Sequence, residues 1–144
     1  LKNKASEIKA SLKIPPDAFT FLFIGRLVID KGIVELVDAF EEVIKCKDAY
    51  LILVGPFEQD LDPLPQNVLD RMTSHPKIKL AGFQKDVRPY LMASNAFVFP
   101  SYREGFPNVV LQAACMEVPI IASNINGCNE IIEHEKSGLL VKPK

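Results

Sequence analysis

Four residues carry most of the chemistry that this sequence offers: Arg26 and Lys31 in GRLVIDKG, Glu104 in REGFPN, and Gln112 further along. Arg26 and Lys31 lie five residues apart, between a strand-like and a helix-like run. Arginine offers a two-pronged guanidinium fork and lysine a compact charge, so the pair can converge on a diphosphate. Gly32 then opens the following helix and lets an anion approach its N-terminus. The segment is not a Walker loop, since GxxxxGK[ST] is absent, nor a GxGxxG turn. It reads equally as a solvated turn with two surface cations.

In REGFPN, Pro107 fits the first helical position, where its missing N–H costs nothing. Gly105 permits a close or left-handed turn. Glu104 and the first helical amides then face one crevice, where a carboxylate can grip two sugar hydroxyls. The plainer role for Glu104 is to complement the helix dipole, but it precedes the helix by several residues and sits beside Arg103. Gln112 lies inside a helix of small and apolar residues, eight positions after Glu104. It must be exposed or hydrogen-bonded. Ala113 and Ala114 suggest tight helix packing there.

Other polar residues suggest less. Asp60 and Asp62, in a Pro-rich loop with Glu58, have the residue type of a divalent-cation site, but such acidic loops are usually solvated. His75 and His134 have no partners at ligand spacing and read as surface residues. Cys46, Cys115 and Cys128 form no metal pattern. They read as reduced thiols in a cytosolic protein, with Cys115 a small buried hydrophobe.

The elements that position these residues alternate along the chain. The strand candidates are FTFLFIG, AYLILVG, KIKLAG, AFVFP, PIIAS and GLLV. The first is nearly continuous in apolar character, as in a strand covered on both faces. Between Gly32 and Cys46, Ile33, Leu36, Val37, Phe40, Val43 and Ile44 recur at helical spacing. Further helices are predicted over Pro65–Ser74, Asp86–Ser94 and Pro107–Met116, with one or two helical turns over Asn129–His134. Strands separated by helices imply βαβ units and a parallel sheet with helices on both faces. Each unusual loop follows a strand, so all lie at the carboxyl edge, where open α/β sheets bind ligands. With strand order 3-2-1-4-5-6, the loops carrying Arg26, Lys31 and Glu104 flank the switch point.

The 144 residues suggest one domain, and 48% hydrophobic content suffices for a substantial core. A net charge of −1 provides no basic field, so no nucleic-acid partner is expected. No apolar stretch approaches the roughly 20 residues needed to span a bilayer. Leu1–Leu12 reads as an exposed helix ending before Pro15-Pro16. A start without methionine and a stop just after a strand-like run suggest that both ends are cut edges of something larger.

Together these segments resemble the C-terminal, donor-binding domain of retaining glycosyltransferases of the GT-B fold. That group includes many bacterial polysaccharide mannosyl-, glucosyl- and galactosyltransferases. The resemblance runs from Phe19 to Val141. It is carried by FLFIGRLVIDKG, LILVG, AGFQKDVRPYLMAS, VFPSYREGFPNVVLQAACMEVPIIAS and GLLV. It implies an α/β, Rossmann-like, doubly wound parallel sheet of six strands, one half of a GT-B fold. Residues 1–16 would be an N-terminal helix and linker toward a missing acceptor domain. Residues 17–144 would be the nucleotide-sugar-binding domain, truncated at its C-terminal end.

The resemblance also implies roles. Arg26 and Lys31 match cations that hold the donor diphosphate and help the nucleotide leave, with Gly25 at the head of their turn among the substrate-binding positions. Gly82 and Phe83 match a turn whose backbone lies near the base. Glu104 matches the first Glu of the family's Glu–seven residues–Glu motif, which binds donor-sugar hydroxyls. Gly105, Phe106 and Pro107 match the loop whose amides approach sugar and phosphate, with Asn108 completing the set. Gln112 stands where the second Glu binds ribose. An amide still bonds a diol, but without the charge that strengthens the bond. In NINGCNE only Gly127 of the family's two glycines is kept, while Glu130 still matches.

The implied reaction belongs to the parent protein: sugar transfer from a nucleoside diphosphate to a hydroxyl acceptor with retained anomeric configuration. It would serve polysaccharide, lipopolysaccharide or glycoconjugate synthesis. The catalytic residues would be Arg26, Lys31 and Glu104, with no metal and no cofactor beyond the donor. The isolated chain would bind donor without turnover. The parent would be cytoplasmic, an assignment compatible with peripheral association at the inner face of the membrane. Two rivals stand beside this: a non-catalytic sugar-nucleotide-binding module, and a Rossmann-like sugar-nucleotide epimerase. For the epimerase, no catalytic His or acidic cluster is evident.

Overall fold

The computed structural model describes residues 1–143. Its order is α1 (Lys2–Ser11), β1 (Phe19–Ile24), α2 (Ile33–Val43), β2 (Ala49–Val54), α3 (Gln66–Ser74), β3 (Ile78–Gly82), α4 (Arg88–Met92), β4 (Ala96–Phe99), α5 (Asn108–Cys115), β5 (Ile120–Ser123), α6 (Cys128–Ile131) and β6 (Leu139–Val141). Among the described residues these strands form one sheet of six, ordered β3-β2-β1-β4-β5-β6. Every pairing is parallel. The chain leaves β1 toward β2 on one side and returns to β4 on the other, so the switch point lies between β1 and β4, as the sequence predicts.

Burial explains the strands. Leu22, Phe23 and Ile24 of β1 are buried in succession, as are Leu51 to Val54 of β2, which requires cover on both faces. On α2, Ile33, Leu36, Val37 and Phe40 are buried, the single stripe of a helix lying on a sheet. Phe97 stacks beside Phe99, and Phe99 beside Phe23, each at 6.0 Å between ring centroids. At the amino edge, Asn95 extends the β1–β4 ladder. Its Oδ1 accepts from the Thr20 amide at 2.8 Å and its own amide donates to the Thr20 carbonyl at 2.8 Å.

Two helix starts differ from expectation. The predicted helix over Asp86–Ser94 is only Arg88–Met92. Asp86 lies outside it, accepting from the Arg88 amide and clasping the Arg88 guanidinium at 2.9 Å, which holds its carboxyl down at about 2. Pro107 is not the first helical residue. It is the extended residue before α5, at φ −77° and ψ 97°. The N-terminal helix forms as expected and packs on α4, burying Ala5. Among the described residues, no helix is long and apolar enough to cross a membrane.

Candidate functional site

The loop after β1 is a compact turn pressed onto the end of β4. A 3-10 turn over Ile29–Lys31, absent from the sequence reading, leads to Gly32 in the left-handed region at φ 75°. A Cβ on Gly32 would sit 2.1 Å from the Pro100 carbonyl oxygen. Glycine is therefore required twice, by the dihedral and by the close approach. Asp30 then ties three loops together. Its amide donates to Asp62 Oδ2 at 2.8 Å, its carbonyl accepts the Tyr102 amide at 3.0 Å, and its Oδ2 lies 3.3 Å from Arg103 Nε. Asp62 is thus a strut for the β1 loop, not a freely solvated acid. Tyr102 donates its hydroxyl to Glu35 of α2. That bond, reinforced by burial and the nearby negative charge, pushes the phenol up to about 12.

Lys31 and Glu104 meet within this frame. The Lys31 ammonium pairs with Glu104 Oε2, and the two side chains are only 14% and 13% exposed. Ser101 donates to the same oxygen at 2.8 Å. Lys31 also lies over the Phe99 ring, 5.9 Å from its centroid. Arg26 is placed differently. It pairs with Glu58 at 3.1 Å, with side chains 49% and 31% exposed. The two cations do not converge on a common partner here: each takes the carboxylate its own loop neighbourhood supplies.

The remaining candidates spread along the same edge. Gly25, at φ 154°, donates its amide to the Val54 carbonyl at 2.9 Å. Gly82 is left-handed with open space around it, and Phe83 beside it is 72% exposed. Phe106 is 52% exposed, Pro107 is buried, and Asn108 and Gln112 are exposed. Exposure therefore answers the choice left open for Gln112.

Gly105 corrects the sequence reading. It has no positive φ and nothing crowds its missing side chain. The glycine this turn requires is Gly127, at φ 89°, where a Cβ would lie 2.6 Å from the Gly105 carbonyl oxygen. The loop after β5 packs its backbone on the loop after β4, and that contact is invisible in sequence.

The thiols correct another reading. Cys115 is exposed and Cys128 is the buried one. On α5 the inward stripe is Val110 and Ala113, and position 115 falls off it. Burial, aided by the Glu104 charge, pushes the Cys128 thiol up to about 11. His75 is half-buried, edge-on to Phe40, with Nδ1 accepting the Lys77 amide at 3.1 Å. His134 is exposed, and its Nδ1 accepts the Leu140 amide at 3.0 Å. Among the described residues no cluster of His, Cys, Asp and Glu is arranged to hold a metal ion.

A doubly wound parallel sheet with Arg26, Lys31 and Glu104 on the loops at its switch-point edge has the form of a Rossmann-like domain. Residues 18–144 match the family described as Glycosyl transferases group 1, and the chain belongs to that family. It is 31% identical over 131 residues to the capsular polysaccharide biosynthesis glycosyltransferase CapM of Staphylococcus aureus, covering 90% of this chain and 34% of CapM. It is 31% identical over 143 residues to the UDP-Gal:alpha-D-GlcNAc-diphosphoundecaprenol alpha-1,3-galactosyltransferase of Escherichia coli, covering 97% of this chain and 37% of that enzyme. The chain thus spans about a third of the length of these relatives.

Among solved structures, Anabaena HepE in complex with UDP-glucose superposes with a TM-score of 0.82 and 26% identity, covering 99% of this chain and 40% of HepE. The C-terminal domain of the group 1 glycosyl transferase LpcC from Francisella tularensis shares the fold, with a TM-score of 0.81, covering 99% of this chain and 74% of that one. The sheet is that of the Rossmann-like half of a GT-B glycosyltransferase. Family membership sets the chain apart from the sugar-nucleotide epimerases.

Proposed function

We propose that this chain is the donor nucleotide-sugar-binding domain of a retaining glycosyltransferase whose parent transfers a sugar to a hydroxyl acceptor in polysaccharide, lipopolysaccharide or glycoconjugate synthesis. The observation that carries the proposal is the meeting of Lys31, Glu104 and Ser101 at the carboxyl edge, from the loops after β1 and β4. That is where an open α/β sheet receives a nucleotide. The UDP-glucose held by HepE supports the same ligand class.

In this reading Arg26 and Lys31 receive the diphosphate. Lys31 exchanges part of its bond to Glu104 for phosphate oxygens, and Arg26 does the same with Glu58. Glu104 takes donor-sugar hydroxyls, and the Gly105–Asn108 loop offers backbone amides to sugar and phosphate. Gly82 and Phe83 line the base, and Gln112 takes the ribose. Gln112 is the fifth residue of α5, about 6 Å along the axis from Asn108 at 1.5 Å per residue. Departure of the nucleotide is favoured by fixed positive charge at the developing diphosphate. These cations supply the charge, so no metal is assigned.

Residues 1–16 lead toward an acceptor-binding half elsewhere in the protein, and residues 17–144 hold the donor. The parent works in the cytoplasm, at the membrane where its acceptor is lipid-linked, as in the diphosphoundecaprenol enzyme of E. coli. The test is a thermal-shift panel of UDP, GDP and ADP and their sugars. One nucleotide and its sugar conjugate are expected to raise the melting temperature without sugar transfer by this chain alone. A flat panel, or sustained transfer by the isolated chain, overturns the proposal.

A further inference from the structure

The β4–α5 loop contains a polar group that meets Glu104 but has been given no ligand of its own. Ser101 follows β4 after a single residue and is fully buried, one of three buried polar residues among those described. Its hydroxyl has three acceptors in reach: Glu104 Oε2 at 2.8 Å, the Arg103 carbonyl at 3.1 Å and the Asp30 carbonyl at 3.4 Å. A hydroxyl has one proton to give. The carboxylate is both the nearest acceptor and the charged one, and charge-assisted bonds are the stronger.

The consequence falls on Glu104. Its Oε2 receives both the Ser101 hydroxyl and the Lys31 ammonium. Its Oε1 has no partner among the described residues and is not sealed from solvent. The carboxylate is therefore pinned by one oxygen and presents the other. Lys31 is an unsteady pin, because the proposed diphosphate competes for its ammonium. Ser101 has no such competitor: it is buried and sits in the same loop, three residues from Glu104.

We infer that Ser101 is a positioning residue: its hydroxyl holds Glu104 Oε2 so that Oε1 stays aimed at the hydroxyls of the donor sugar when Lys31 turns to the diphosphate. The inference rests on the proposed donor-binding function. It predicts that Ser101 affects the sugar end of the ligand and not the nucleotide end.

The test is calorimetric binding of UDP against UDP-glucose or UDP-galactose, GDP against GDP-mannose, and ADP against ADP-glucose, to the native chain, Ser101→Ala, Glu104→Ala and the double variant. Ser101→Ala is expected to weaken the sugar nucleotide about 5- to 10-fold, the net scale of one hydrogen bond acting through Glu104, and the bare diphosphate less than about 2-fold. In the Glu104→Ala background the Ser101 effect should vanish, since no carboxylate remains to be held. Ser101→Thr keeps the hydroxyl and is expected to restore most of the discrimination.

Equal weakening of both ligands by Ser101→Ala, or an undiminished effect without Glu104, overturns the inference and leaves the donor-binding function standing. Failure of the native chain to bind any of the diphosphates overturns both. Should Glu104→Ala not fold, the ratio in Ser101→Ala against Ser101→Thr decides alone. Retained discrimination in the alanine variant, or equal loss in both, counts against the inference.

Discussion

Arg26 and Lys31 leave the same turn and meet opposite surroundings. Lys31 is shielded, paired with Glu104, and held over Phe99 within a frame where Asp30 joins three loops. Arg26 stands half in solvent with Glu58. A shielded pair loses much if one partner is removed, because the other charge is left without water. An exposed pair contributes about 0–1 kcal/mol to stability. One side of the turn is therefore tied firmly into the fold, and the other is held only loosely. Equal-looking cations in sequence differ in how much of their interaction the folded chain has already claimed.

The largest expected effect breaks the rigid side. Gly32→Ala places a methyl group 2.1 Å from the Pro100 carbonyl at a left-handed dihedral. It should destabilise the fold by about 3 kcal/mol or more in denaturant titration, through clash and backbone strain together. Near-native stability would mean that the turn is not pressed on β4.

Next, Arg26→Ala should leave stability within about 1 kcal/mol of native. It should weaken nucleoside diphosphate binding by about 1.5–3 kcal/mol, the scale of charged hydrogen bonds, and the nucleoside far less. Equal loss for both ligands in calorimetry would remove Arg26 from the diphosphate.

The smallest change sharpens the comparison from α5. Gln112 is exposed, so Gln112→Glu buries no charge and should shift stability by no more than about 0.5 kcal/mol. Nucleotide affinity should hold or rise. Gln112→Leu should lower it, and should lower that of the 2′,3′-dideoxy nucleotide much less. Unchanged ribose discrimination in both variants would remove Gln112 from the site.

Much of this was legible in the sequence. Near-continuous apolar runs gave the buried parallel strands, the Ile33–Phe40 stripe gave α2, and the clustering of odd loops after strands marked the carboxyl edge. Local physics suffices there, because strand and helix periodicity are properties of neighbours in the chain. The Gly105 and Cys115 readings failed for the complementary reason. Each depended on which distant backbone or helix face a residue meets, and sequence neighbours carry no record of that.

The sequence by itself determined the alternation of strands and helices, the edge where polar residues gather, and the chemical types assembled there. Only the tertiary structure decided which charges are spoken for. Lys31 and Glu104 lie 73 residues apart, Asp30 and Asp62 lie 32 apart, and Gly127 is required by the Gly105 carbonyl across two loops. Such pairings depend on strand order and loop packing, which bring remote segments within a few ångströms. Whether a charge there is shielded or solvated depends on everything packed around it.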